Sequence, residues 1–350
     1  MPFHGTPGPA NAITDVAGVA VGHTTLIEGA NVRTGVTAVW PRGMSRTEPA
    51  FGGWFSLNGN GEMTGTTWLE ESGVLDGPVL ITNTHSVGVV RDAYIQWQVK
   101  SKRTPATNVV GDGEFWSMPV VAETFDGFLN ETNGFHVKPE HVVRALESAS
   151  GGPVAEGAVG GGTGMICYGF KGGIGTSSRR VGSYTVGALV QCNCGRRADL
   201  RIAGVPVGEE IGPQRASAEQ PGIQQERGSI IIVVATDAPL LPHQLKRLAR
   251  RASLGLARTG STSSNYSGDI FIAFSTANAG HAGATQETDV HVLANEQLDP
   301  IFAGVVDAVE ESVVNALVGA RTMEGFQGHR VEALSHEQLK QALKKYGRLN

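Results

Sequence analysis

GSIIIVVATDAPLLPHQLKRLARRASLGLARTGSTSSNYSGDIFIAFSTAN, residues 228–278, holds two strand-like runs around one helix-like run. SIIIVVA at 229–235 and DIFIAFS at 269–275 are apolar on both parities, which suits strands buried on both faces. Between them Pro242 stands where a helix begins, and Leu241, Leu245, Leu248 and Ala252 recur at helical spacing. Sheets interleaved with amphipathic helices imply a layered α/β domain in which helices cover strands.

The same stretch opens on Gly228-Ser229, at the mouth of its first strand. A serine after a glycine is ordinary turn punctuation. It also has the make-up of a self-cleaving bond, because glycine tolerates the strained backbone that lets the next hydroxyl attack the preceding carbonyl. Cleavage would leave Ser229 with a nucleophilic hydroxyl and a free amine. An α-amine has a pKa of about 7.7–8.0, so part of it is neutral near pH 7 and can serve as base for its own hydroxyl.

Outward from this segment, further strands are expected at 18–25, 35–40 and 78–83. Helices are expected over 139–150, opened by Pro139, and over 299–318, with Phe302, Val305, Val306, Val309, Val313 and Leu317 as its apolar stripe. Ser335 and Gln338 form a capping-box pattern before a last helix that stops at Gly347. This pattern suits an αββα sandwich and a doubly wound sheet equally. Residues 209–228 read as a polar, flexible connector without periodicity, of a length that is usually functional or disordered. The expected organisation is one compact domain, residues 1–350, made of two chains, 1–228 and 229–350.

Composition narrows the function. Gly accounts for 48 of 350 residues, near twice the usual share of about 7%, which implies many tight loops. A formal charge of −5 gives no cationic field for nucleic acid or an anionic membrane. The basic run KRLARR at 246–251 reads as a solvated helix face. No run reaches the roughly eighteen apolar residues of a spanning helix, and MPFHGTPGPANAITD lacks the regions of a secretory signal, so a cytoplasmic protein is expected. Cys167, Cys192 and Cys194 do not fit a secreted disulfide framework and are expected as reduced thiols. The run VGGGTGMICYGFKGGIGTSSR lacks the order of a phosphate loop, since Lys171 precedes its glycines, and the ten histidines show no metal-binding spacing. No metal or cofactor is expected.

The segment 228–278 resembles the core of the L-aminopeptidase/D-esterase family, which includes the β-peptidyl aminopeptidases. GTPGPANAITDVAGVAVGHTTL near the start, WFSLNGNGEMTGTTWLEESG at 54–73, MPVVAETFDGFLN at 118–130 and CNCGRRADLRIAGVPVG at 192–208 resemble it too, so the likeness spans nearly the whole chain. It implies a four-layer αββα sandwich of the N-terminal-nucleophile hydrolase kind, with different connectivity, cleavage between Gly228 and Ser229, and a homotetramer of cleaved protomers.

Site residues follow position by position. Ser267 and Asp269 are two apart, so in an extended segment they share a face and can orient or relay the Ser229 proton. The family has a Ser and a Glu at these positions, and the shorter Asp269 is a departure. Taken alone, Ser267-Gly268-Asp269 reads as a plain turn. Asn193 matches the family's oxyanion-hole Asn, and otherwise reads as an Asn bonding its own backbone. Glu123 is the candidate anchor for a substrate's α-ammonium, with the match inside the Glu-Thr-Phe triplet open and a plain surface charge as the other reading.

The expected activity is a metal-independent serine aminopeptidase that takes N-terminal residues from small peptides, amides or esters, D- or β-amino substrates among them. An acyltransferase of the ornithine acetyltransferase type and a non-catalytic small-molecule binding protein are the two other readings.

Overall fold

The computed structural model describes residues 3–103, 108–110, 113–212 and 228–349. Strands β1 (Ala20–Glu28), β2 (Val32–Trp40), β3 (Ala50–Gly59), β4 (Val74–Leu75), β5 (Val79–Asn83), β6 (Val120–Thr124), β7 (Gly173–Val181), β8 (Tyr184–Asn193), β9 (Ser229–Thr236) and β10 (Gly268–Ser275) make two sheets. One has four strands in the order β1-β2-β5-β6, the other six in the order β7-β8-β9-β10-β3-β4. The helices are α1 (Thr66–Ser72), α2 (Val87–Ser101), α3 (Pro139–Glu147), α4 (Val207–Ile211), α5 (Pro242–Arg258), α6 (Asp299–Val318) and α7 (His336–Lys345).

Three buried cores identify the layers. In β9, Ile230, Ile232 and Val234 point toward Leu245, Leu248, Val305 and Val309 of α5 and α6. Ile231, Val233 and Ala235 point the other way, onto Val39, Val79, Ile81 and Ala122 of the smaller sheet. The far face of that sheet packs Val36, Leu80 and Val121 against Val90 and Trp97 of α2 and Val142 and Leu146 of α3. The order is helix, sheet, sheet, helix, the αββα sandwich. A strand buried on both faces has no polar side, which is why β9 and β10 read as unbroken apolar runs.

β9 and β10 are parallel neighbours, joined by α5 as the crossover, while β8 and β3 flank them antiparallel. A parallel pair needs such a crossover, and here it lies on the outer face. The helix expected over 139–150 ends at Glu147, and Ser335 caps α7 by accepting from the Gln338 N–H at 3.3 Å. The basic run 246–251 is a helix face as expected. Its charges are partnered, Lys246 with Glu70, Arg250 over the Phe55 ring and Arg251 over the Phe302 ring.

Two expectations change. The connector expected over 209–228 starts inside α4, and residues 213–227 lie outside the described residues. Cys167 and Cys192 are not reduced thiols but a disulfide, with Cα atoms 5.7 Å apart, a separation that suits a bridge. Their 25-residue separation hides that the chain turns back to lay Cys167 beside the end of β8. Cys194 stands outside the bridge, its Sγ 3.8 Å from that of Cys192.

Candidate active site

Ser229 is the first residue of β9, and its ladder partners are Asn193 on β8 and Gly268 on β10. Alternation along β9 turns the Ser229 side chain to the space between the sheets, the side of Ile231, and Asn193 as its cross-strand partner shares that side. The Gly228 carbonyl, next to the hydroxyl of Ser229, accepts the Gly268 N–H at 3.1 Å.

Gly228 is not among the glycines with positive φ, so backbone strain is not what makes it glycine. Space is. A Cβ there would lie 2.4 Å from the Asn193 carbonyl oxygen and 2.7 Å from the Cys194 Cα, both backbone atoms that cannot swing aside. Gly228→Ala is therefore expected to push the Gly228 carbonyl off the Gly268 N–H and slow any cleavage of the following bond about tenfold or more, since a misplacement near 1 Å costs a reaction heavily. A time course of intact mass after expression checks this.

The Ser267 Oγ donates to Asp269 Oδ1 at 2.7 Å, and both residues are buried. They flank Gly268, the ladder partner of Ser229. Asp269 pairs with Ile230, so by the pleat it stands on the helix-facing side while the Ser229 side chain faces the other sheet. The carboxylate–hydroxyl pair thus flanks the ladder partner of Ser229 on the face opposite to the Ser229 side chain. Asn58 braces the preceding turn, its Nδ2 donating to the carbonyls of Ser264 and Ser267 at 2.6 Å each, and Asn60 Nδ2 donates to the Tyr266 carbonyl at 2.8 Å.

Asn193 is fixed at both ends of its amide. Oδ1 accepts the Ile166 N–H at 2.8 Å and Nδ2 donates to the Phe125 carbonyl at 2.9 Å. One Nδ2 hydrogen is thereby committed, and the amide has two. The reading of Asn193 as bonded to its own strand end is not what the structure shows, since both partners come from distant segments.

Glu123 is no surface charge. It is buried, Oε1 accepts the Glu62 N–H at 3.1 Å and Oε2 accepts the Thr84 hydroxyl, yet among the described residues it makes no ion pair. Burial pushes its carboxyl above the usual range, opposed by the hydrogen bonds from Thr84 and Glu62 and reinforced by the nearby Glu62 and Asp126 charges. Gly61 connects it to the centre: a Cβ built on Gly61 would lie 3.1 Å from the Gly268 Cα and 3.3 Å from Glu123 Oε1. The last member of its triplet, Phe125, exposes its ring and uses its carbonyl to hold Asn193.

The fold thus gathers Ser229, Asn193, Ser267, Asp269 and Glu123 at one end of the sandwich. Thr84, Asn58, Asn60 and Gly61 join them unannounced by the sequence, because each meets a segment distant along the chain. A buried hydroxyl with an amide donor on its own face, a backbone N–H on the neighbouring carbonyl and an unpaired buried carboxylate are the groups that acyl transfer from an amine-bearing substrate requires.

Comparison with known proteins agrees with this chemistry. The sequence model of peptidase family S58 matches residues 11–331. The chain is 53% identical to the β-peptidyl aminopeptidase BapA of Sphingosinicella microcystinivorans, across 100% of this chain and 91% of that protein. Among solved structures, the L-aminopeptidase D-Ala-esterase/amidase of Ochrobactrum anthropi, described as a prototype of the serine aminopeptidases and a variant of the Ntn hydrolase fold, superposes with a TM-score of 0.91 at 49% identity, covering 100% of this chain and 98% of that one. A Burkholderia sp. β-aminopeptidase superposes with a TM-score of 0.88, also at 49% identity, over 98% and 96% of the two chains. These likenesses decide for the peptidase among the readings that the sequence left open. Matched by the family's model over most of its length and by aminopeptidases from end to end, the chain belongs to peptidase family S58 and is an aminopeptidase.

Proposed function

We propose that the chain cuts itself between Gly228 and Ser229 and then removes N-terminal residues from small peptides, amides or esters through Ser229, with β-amino and D-amino substrates in its range. The observation that carries this reading is the seat of Ser229 at the head of a central strand, between Asn193 and the Gly268 that separates Ser267 from Asp269. The relatives named for β-peptides and for D-alanine esters and amides support the substrate range.

In the first step the Ser229 Oγ attacks the Gly228 carbonyl carbon, the C–N bond breaks, the nitrogen takes up the proton, and Gly228 is left as an ester on Ser229. Water then hydrolyses that ester, releasing the Gly228 carboxylate and restoring the Ser229 hydroxyl beside the amine already freed. In turnover the same hydroxyl attacks the substrate carbonyl and its proton passes to the Ser229 amine, which Ser267 and Asp269 orient. Asn193 donates its second amide hydrogen to the oxyanion. The leaving amine takes the proton, and water then cleaves the acyl-enzyme. Glu123 holds the substrate's ammonium. The cleaved protomers assemble as a homotetramer, which light scattering of the purified protein tests.

A panel of aminoacyl p-nitroanilides in L-, D- and β-forms, with intact mass measured on the same sample, tests the reading. Release of product by water alone from a protein of 228 and 122 residues is expected, and an intact 350-residue chain with full activity would end it.

Glu123 gives a further expected result. Glu123→Gln keeps the shape but loses the charge, and a hydrogen bond to a charged group is worth about 1.5–3 kcal/mol, so kcat/KM should fall roughly 10- to 100-fold. The sign of the pH effect follows from burial. The free enzyme's Glu123 carboxyl titrates above the usual range, and the substrate ammonium favours its ionised form, so binding weakens as pH falls through that raised pKa. The Ser229 amine is lost as a base by protonation in the same direction. The acid limb of log(kcat/KM) should therefore approach a two-proton slope in the natural enzyme and a one-proton slope in Glu123→Gln.

A further inference from the structure

The Gly-rich run VGGGTGMICYGFKGGIG is not a phosphate loop, and at its centre stands Lys171, wholly buried. Its Nζ donates to the Met165 carbonyl at 2.7 Å, to the Gly172 carbonyl at 2.8 Å and to the Gly162 carbonyl at 3.4 Å. All three donors of the ammonium are directed at backbone oxygens of this run, and among the described residues no carboxylate pairs with it. An unpaired cation in the interior is costly, and hydrogen bonds to three carbonyl dipoles offset only part of that cost. A neutral side chain of similar length would fill the same space without it.

The charge has an addressee. The Met165 carbonyl belongs to the same peptide group as the Ile166 N–H, and that N–H donates to Asn193 Oδ1 at 2.8 Å. The Asn193 Nδ2 in turn donates to the Phe125 carbonyl at 2.9 Å and lies on the cross-strand partner of Ser229. The sequence is ammonium, peptide C=O, peptide N–H, amide C=O and amide N–H, in which each donor polarises the group that donates next. Chains of this kind strengthen cooperatively, and the low dielectric of the interior preserves the effect.

We infer that Lys171 is a positioning residue for the reaction: through the Met165–Ile166 peptide it both fixes the Asn193 amide and makes its N–H a stronger donor to the oxyanion. The inference rests on the reading of Asn193 as the oxyanion donor. Burial pushes the Lys171 ammonium down to about 7, and the three carbonyl hydrogen bonds favour its charged form. The run's glycines then have a purpose apart from ligand binding, because they let three backbone carbonyls close around one Nζ.

The test uses the cleaved enzyme and a β-aminoacyl p-nitroanilide. Lys171→Gln keeps a donor for one carbonyl and removes the charge, and Lys171→Met removes both. Each is expected to lower kcat about tenfold with KM unchanged, less than the roughly 10²–10³-fold loss when an oxyanion donor is deleted outright. In the Asn193→Ala background neither should lower kcat further, whereas a purely structural lysine would lower both backgrounds alike. Should the lysine variants fail to fold, replacing Ile166 by its α-hydroxy acid keeps the shape and removes only the N–H between Lys171 and Asn193, and the same tenfold loss is expected. Natural kcat in a folded lysine variant, or in the ester variant, overturns the inference. Failure of the underlying reading looks different, since Asn193→Ala alone would then leave kcat intact.

Discussion

Ser229→Ala is expected to yield a single 350-residue chain and to lower peptidase turnover by a factor on the order of 10⁶, the scale of removing a serine nucleophile. Two losses coincide in this variant. Without the hydroxyl nothing attacks the Gly228 carbonyl, which sits against the Gly268 N–H at 3.1 Å. Without cleavage the Ser229 nitrogen remains a peptide N–H and cannot accept a proton. The losses separate if residues 1–228 and 229–350 are produced as two chains in one cell. The pair with Ser229 restored as an N-terminus should be active, and the pair carrying Ser229→Ala inactive although it is already divided. An active divided pair without the hydroxyl would place the nucleophile elsewhere. Ser229→Cys should still cleave, because a thiol is intrinsically the stronger nucleophile.

The layers were legible where burial is complete. Ile230–Ala235 and Ile270–Phe274 lie in apolar surroundings on both sides, and no polar residue interrupts them. β7 was not legible. Its GIGTSSRRV is not among the expected strands, yet Thr176, Ser177, Ser178 and Arg179 are all buried, because each polar group finds a partner the sequence does not announce. Thr176 donates to the Ala188 carbonyl, Ser177 to the Ala308 carbonyl of α6, Ser178 to Asp15, and Arg179 pairs with Glu311 at 2.6 Å. Satisfied hydroxyls are as compatible with a core strand as methyl groups, and composition alone cannot tell that they are satisfied.

The site divides the same way. The Gly228-Ser229 step at a strand mouth and the two-residue spacing of Ser267 and Asp269 are local features, and the Ser267–Asp269 hydrogen bond at 2.7 Å follows from that spacing. What turns Glu123 into a buried unpaired carboxylate is not local, since Thr84 and the Glu62 N–H arrive from other segments of the chain. Lys171 could be seen in the sequence only as the wrong residue for a phosphate loop. Its three carbonyl partners become visible when the Gly-rich run closes around it.

Asn193→Ala is expected to lower kcat about 10²–10³-fold with little change in KM, the mark of a donor used only in the transition state. The expectation follows from how tightly its amide is aimed. Oδ1 is held by the Ile166 N–H at 2.8 Å and one Nδ2 hydrogen by the Phe125 carbonyl at 2.9 Å, so the direction of the remaining hydrogen is fixed before substrate arrives. A donor positioned in advance needs no reorganisation as charge develops, which is why it favours the oxyanion over the ground-state carbonyl. Alanine also leaves the Ile166 N–H and the Phe125 carbonyl without their partners, at a cost in stability of about 1–3 kcal/mol for each buried group. The variant must therefore be compared at a temperature well below its melting point, on protein whose mass shows complete cleavage. If the loss lay in folding, activity per folded molecule would match the natural enzyme; if it lay in ground-state binding, KM would rise while kcat held. A fall in kcat alone, on cleaved and folded protein, assigns the oxyanion to this amide.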